Sequence, residues 1–196
     1  NAVVGRDEVT DVDDLNRLLS KLVSSWDHQG ALDAVNRFLD RYPEVPINRA
    51  TLALAFTSCA QRGNAGLAWV LFQKAKEYDI SLTTTALNWG IKALARRGRA
   101  EDAEQAFRES TAHNRGCTPS AVTYNYVISA YCWGGKVDRA LDLVEEMKQN
   151  SHYPGQYTYT KIIEGCVRAA QPVRAYDTLV RLERQRYELA PSLYSM

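Results

Sequence analysis

The feature that most constrains this chain is a beat of about 35 residues carried by pairs of apolar positions. Ala34, Ala68, Ala103, Ala140 and Ala175 follow one another at intervals of 34, 35, 37 and 35 residues. Four positions after each stands a larger apolar residue: Phe38, Phe72, Phe107, Val144 and Leu179. Residues four apart share a helix face, so one small and one large side chain recur together on five successive helices. Glycines keep similar time, with Gly30, Gly63, Gly98 and Gly135 at steps of 33, 35 and 37, and Ala170 standing at the next expected place. Each glycine is expected to end a first helix and lead into the Ala-bearing second one. A small residue where helices cross and a large one filling the next gap is what stacked helix pairs need. The fold expected is all-α, an α-solenoid of about five helix-turn-helix repeats with the start of a sixth.

The best-formed copy runs from Ala121 to Gly155. Tyr124, Val127, Ile128, Tyr131 and Cys132 fall at i, i+3, i+4, i+7 and i+8, a single buried helical face, while Thr123 and Asn125 are expected to point away from it. Trp133-Gly134-Gly135 should end that helix, and a second, from about 137 to 149, carries Ala140, Leu141, Val144 and Met147 before Pro154 stops it. The same pattern divides the chain into an N-terminal arm (1–10), a divergent helical hairpin (11–48), repeats over 49–83, 84–120, 121–155 and 156–190, and the start of a further helix (191–196). In the divergent pair Asp13 and Asp14 are expected to cap a helix whose face is Leu15, Leu18, Leu19, Leu22, Val23 and Trp26, with a partner over about 31–41. A solenoid that stops in mid-helix exposes an apolar face, so further repeats are expected in a longer protein. The first residue is Asn1 rather than Met, which points to a processed or trimmed start and leaves any targeting segment unread.

Charge excludes little. Twenty-four basic and 23 acidic residues leave a net charge of +1, so any basic surface must be local. No apolar run approaches the roughly 20 residues of a membrane span, and a chain with no membrane insertion is expected. Cys59, Cys132 and Cys166 lie on apolar helix faces and read as core thiols, without metal-ligand spacing. His28, His113 and His152 read as surface residues near turns. No nucleophile–base pair, carboxylate cluster or zinc deaminase signature is present, and repeats supply surface rather than a closed pocket; neither an enzyme nor a cofactor is expected.

The string Val122-Thr-Tyr-Asn-Tyr-Val-Ile-Ser-Ala-Tyr-Cys-Trp-Gly-Gly-Lys-Val-Asp-Arg-Ala-Leu-Asp-Leu-Val-Glu-Glu-Met-Lys148, closing at Pro154, resembles the pentatricopeptide repeat. Tyr157-Thr-Tyr-Thr-Lys-Ile-Ile163 is similar, and the third repeat keeps Asn88, Gly98-Arg99, Ala103 and Pro119-Ser120. The W-x2-L-G-x2-Y signature of the tetratricopeptide repeat, a helix pair of nearly the same period, is absent. The resemblance implies a right-handed superhelix that binds single-stranded RNA in its concave groove at roughly one base per repeat. It also implies an organelle, chloroplast or mitochondrion, and a role in RNA processing, stability, splicing or translation.

A short amide at constant helical phase offers both donor and acceptor to a base edge, and such a column runs through Asn16, Ala53, Asn88, Asn125, Thr160 and Ser195. The resemblance gives a second reading column at the end of each repeat, here Asn48, Thr83, Ser120, Gly155 and Ala190, none of which is the commonly found Asp. It pairs Asn88 with Ser120 for a pyrimidine, leaves Asn125 with Gly155 and Thr160 with Ala190 as weak discriminators, and stacks a base between Val122 and Tyr157. Lys92, Arg96 and Arg168 are the candidate phosphate contacts. The alternative reading is a structural or protein-binding scaffold within an organellar ribosome or another large complex, in which a degenerate reading column and near-neutral charge are unsurprising.

Overall fold

The computed structural model describes residues 9, 11–112 and 117–180. The expectations for most of the N-terminal arm, for His113, and for Ala190, Ser195 and the helix start at 191–196 lie outside the described residues. The described chain is helical throughout: α1 (Val12–Ser24), α2 (His28–Arg41), α3 (Arg49–Arg62), α4 (Ala65–Glu77), α5 (Thr84–Ala95), α6 (Ala100–Ala112), α7 (Ala121–Trp133), α8 (Val137–Gln149), α9 (Gln156–Arg168) and α10 (172–180).

Short polar side chains start α1 to α5 and α7. Asn48 Oδ1 accepts from the Thr51 amide at 3.0 Å, Asn64 Oδ1 from Leu67 at 3.0 Å, and Thr83 Oγ1 from Ala86 at 3.1 Å, each satisfying a donor the first helical turn leaves open. At α7 the cap is reciprocal, with Ser120 Oγ accepting from the Thr123 amide and Thr123 Oγ1 accepting from the Ser120 amide at 3.0 Å. Between the two helices of every pair one residue turns left-handed: Trp26 (φ 62°), Gly63 (68°), Gly98 (66°), Gly135 (71°) and Ala170 (54°). These positions, rather than the run beginning at Gly30, carry the turn beat, with steps of 37, 35, 37 and 35.

The first pair therefore differs from its sequence reading. Gly30 lies in the first turn of α2, where Asp27 folds back to accept from its amide at 2.9 Å. A Cβ on Gly30 would collide with that carboxylate, so the glycine makes room for the cap rather than ending a helix. The cap of α1 is Asp11, bonded to the Asp14 amide at 2.8 Å; Asp13 and Asp14 sit in the first turn, where the helix dipole favours negative charge. Trp26 leaves the apolar face and is 79% exposed. His28 is buried rather than superficial, its Nδ1 3.3 Å from Ser58 Oγ. Thr123 is also fully buried, because its side of α7 faces the preceding repeat.

The odd-numbered helices pack on one another in succession, α1 on α3, α3 on α5, α5 on α7 and α7 on α9, and each even-numbered helix leans on the odd one that follows. Even-numbered helices meet their counterparts through long charged side chains: Lys76 with Glu109 at 2.8 Å, Arg108 with Glu146, and Arg174 with Asp138 at 2.5 Å. Close packing on one side and splayed packing on the other bends the stack, with the odd-numbered helices on the concave side. Ala34, Ala68, Ala103 and Ala140 are buried at the crossings, as are Phe38, Phe72, Phe107 and Val144 beside them. At the end of the described stack Leu179 is exposed.

A polar network ties the third and fourth repeats. Glu104 accepts from Arg139 at 2.6 Å, from the Tyr131 hydroxyl at 2.5 Å and from Arg108 at 3.2 Å, while Arg108 also pairs with Glu146 through both terminal guanidinium nitrogens. Desolvation raises the Glu104 carboxyl pKa, but these hydrogen bonds outweigh it and hold the group below its ordinary value. Glu146 is lowered chiefly by its bond from Arg108.

Candidate nucleic-acid interface

The concave face is built from one stripe on each odd-numbered helix. On α5 and its C-cap it holds Asn88, Lys92 and Arg96; on α7, Val122, Asn125, Ser129 and Trp133; on α9, Tyr157, Lys161, Glu164 and Arg168. Spacings of three and four keep each set on one side of its helix. Toward the C-terminal ends of these stripes lies a groove of about 360 Å³, whose lining includes Lys92, Arg96, Tyr126, Trp133, Tyr157 and Arg168. Trp133 and Tyr157 in this lining are each 50% exposed, so aromatic surface faces solvent where cations gather, while Val122, 48% exposed, lies outside the lining.

The cations are arranged against the rings. The Arg168 guanidinium carbon lies 3.7 Å from the centroid of Trp133, Lys92 Nζ 4.6 Å from that of Trp89, and Lys161 Nζ 5.5 Å from that of Tyr157. Arg96 is differently engaged: Nη1 donates to the carbonyls of Ala60 at 2.7 Å and Gln61 at 2.9 Å, closing the open end of α3. Ser129 Oγ, buried in the groove wall, has no hydrogen-bond partner among the described residues.

The asparagine column is locked between repeats. Thr51 Oγ1 donates to Asn16 Oδ1 at 2.7 Å, Thr123 Oγ1 to Asn88 Oδ1 at 2.7 Å, and Thr158 Oγ1 to Asn125 Oδ1 at 2.6 Å. Thr160, at the column's next place, is exposed and returns its hydroxyl to the Gln156 carbonyl at 2.9 Å.

A family model described as "PPR repeat family" matches residues 119–168, and one described as "Pentatricopeptide repeat domain" matches 70–133. Together they span residues 70–168, half of the chain. This chain belongs to the pentatricopeptide repeat family. Among curated relatives, it is 31% identical over 150 residues to the mitochondrial 15S rRNA processing factor CCM1 of Yarrowia lipolytica, an alignment covering 74% of this chain and 19% of that protein. Other curated relatives, from Arabidopsis thaliana and Zea mays, are designated chloroplastic. The chain spans between about a tenth and a fifth of the curated relatives it matches most strongly (19%, 11% and 13%). Among solved structures, the PPR domain of Arabidopsis thaliana protein-only RNase P 1, in complex with tRNA, superposes with a TM-score of 0.67 at 15% identity, over 89% of this chain and 90% of that one. The maize protein PPR10, in complex with an 18-nt psaJ RNA element, gives a TM-score of 0.59 at 22% identity, over 90% of this chain and 25% of that one.

In these pentatricopeptide repeats the positions expected to form a second reading column coincide with the helix N-caps: Asn48, Thr83, Ser120 and Gly155 precede α3, α5, α7 and α9. Ser120 is thus committed to its capping box, whereas Gly155 offers no side chain and, among the described residues, has nothing within 4 Å of where a Cβ would stand. Tyr126, Ser129, Trp133 and Lys161 also line the groove but do not belong to the reading, stacking or cation positions predicted above. The runs Val122, Tyr126, Ser129 and Trp133 on α7 and Tyr157, Lys161, Glu164 and Arg168 on α9, both at i, i+4, i+7 and i+11, are the signal that extends the predicted face to them. Among the described residues no group of His, Cys, Asp and Glu could hold a metal ion, and no helix is long and apolar enough to cross a membrane.

Proposed function

We propose that this chain is the single-stranded RNA-binding part of an organellar pentatricopeptide-repeat protein, acting in RNA processing, stability, splicing or translation without catalysing a reaction itself. The observation that carries this reading is the groove between α5, α7 and α9, where Tyr157 and Trp133 stand half exposed beside Lys92, Lys161 and Arg168. Aromatic faces stack on bases and cations neutralise phosphates, so this combination suits an extended strand whose bases are unpaired. Val122 and Tyr157 flank the base that Asn125 meets, and Asn88 meets its neighbour, while Ser120 stays in its capping box. The mitochondrial rRNA processing relative and the tRNA-bound and psaJ-bound structures support RNA as the ligand and an organelle as the place.

The test is fluorescence anisotropy of the 196-residue chain with short single-stranded RNA homopolymers and matched DNA at two salt concentrations, with Tyr157→Ala alongside. Salt-sensitive RNA binding that weakens in the variant, at unchanged helicity, is expected. No binding at low salt by either protein would sink the RNA reading and favour a protein-binding scaffold.

A further inference from the structure

Resting on the RNA reading above, we infer that Thr123 and Thr158 are positioning residues that set which hydrogen-bonding groups the reading asparagines of the preceding repeats show to a base. An asparagine side chain turned by half a revolution exchanges its acceptor for two donors, so a free amide in the groove discriminates poorly between base edges. The threonines remove that freedom. Thr158 Oγ1 donates to Asn125 Oδ1 and Thr123 Oγ1 to Asn88 Oδ1, tying the amide oxygen to the next repeat. Thr123 Oγ1 also accepts from the Ser120 amide at 3.0 Å and lies 3.1 Å from Ser120 Oγ, whose own proton can fill that second contact and leave the Thr123 proton for Asn88 Oδ1. The series from the Ser120 amide through Thr123 to Asn88 polarises each bond in the same sense.

The two half-buried asparagines accordingly keep Oδ1 against the next helix and leave Nδ2 as the group for a ligand. The sequence respects the pairing wherever it can be followed. Asn16, Asn88 and Asn125 meet Thr51, Thr123 and Thr158, whereas Ala53, which has no amide to hold, stands at the matching distance from Ala86. A threonine kept only to cap or pack a helix need not disappear together with an asparagine one repeat earlier.

Thr158 is the cleaner site, because the cap residue of its helix is Gly155 and no side-chain cap would be lost with it. The experiment compares the 196-residue chain with Thr158→Val, which keeps the shape and removes the hydroxyl, and Thr158→Ser, which keeps the hydroxyl. Affinities are measured for oligocytidine, oligouridine and oligoadenosine. The spread among the three should contract about five-fold in Thr158→Val, the size of one net hydrogen bond, and stay at the parent's value in Thr158→Ser. A spread unchanged in Thr158→Val, or contracted equally in both variants, overturns the inference. A second measurement needs no RNA: nitrogen relaxation of the Asn125 side-chain amide should show it ordered in the parent and in Thr158→Ser, and mobile in Thr158→Val. Unchanged order in Thr158→Val overturns the inference too. A parent chain that binds none of the three RNAs sinks the RNA reading instead, and the relaxation measurement still decides whether Thr158 holds Asn125.

Discussion

Gly165 of α9 crosses α7 so closely at Cys132 that a Cβ on Gly165 would stand 2.9 Å from the Cys132 Cα and 2.8 Å from its Cβ. The obstacle is backbone, which cannot rotate aside. Alanine favours a helix over glycine by about 1 kcal/mol, so on propensity alone Gly165→Ala would stabilise α9. The crossing reverses that sign, since overpacking a well-filled contact costs about 1–3 kcal/mol. Gly165→Ala should lower the thermal midpoint, and a midpoint equal to or above the parent's would contradict the close approach of α7 and α9.

Acid should loosen the third and fourth repeats first. Glu104 and Glu146 both titrate below the ordinary carboxylate value in the folded chain, Glu146 through Arg108, and Glu104 through Arg139, Tyr131 and Arg108 against its own desolvation. A carboxylate lowered by folding adds stability that is fully present above its unfolded pKa, about 4.3, and is lost as pH falls through the folded value. Melting midpoints of the parent should therefore drop as pH is taken below about 4, and drop less steeply in Glu104→Gln/Glu146→Gln. Parallel curves for the two proteins would remove these groups from the acid response.

The thiols should be inert while the chain is folded. Burial pushes Cys59 and Cys132 up to about 12, and it is also the largest influence raising Cys117 and Cys166. Since the thiolate is the nucleophile, a disulfide reagent near neutral pH should find Cys59 and Cys132 unreactive in the native chain and available in denaturant. Rapid native labelling of Cys132 would be incompatible with its place between α7 and α9.

Much of this architecture was legible because it depends on phase along a single helix. Ala140 and Val144 announce a crossing by their spacing, and Asn88 and Asn125 announce a shared face by falling at the same point of successive repeats. What the sequence hid depends on contacts between repeats. Thr123 looks like a surface residue of α7 until α5 is set beside it, whereupon it is buried against Asn88. Gly30 imitates the beat of Gly63, Gly98 and Gly135, but the turn falls at Trp26, since left-handed backbone favours glycine without requiring it. Trp133 was legible only as a helix end; its role in the groove follows from Arg168, one repeat away, lying over its ring.

Arg96 and Arg168 occupy equivalent places in their repeats and should nonetheless fail differently. Two carbonyls at the end of α3 take up the Arg96 guanidinium, so Arg96→Gln removes a cap and should lower the thermal midpoint along with any loss of RNA affinity. Arg168 rests on the exposed face of Trp133, in the groove lining, and its charge is free to meet a phosphate. Arg168→Gln should leave the midpoint near the parent's, weaken binding about equally for all RNA sequences, and reduce the slope of log affinity against log salt by about 1. Melting curves and salt titrations of the two variants separate the roles. A full salt slope in Arg168→Gln would mean that the phosphates pass elsewhere, with Lys92 and Lys161 the next cations to replace.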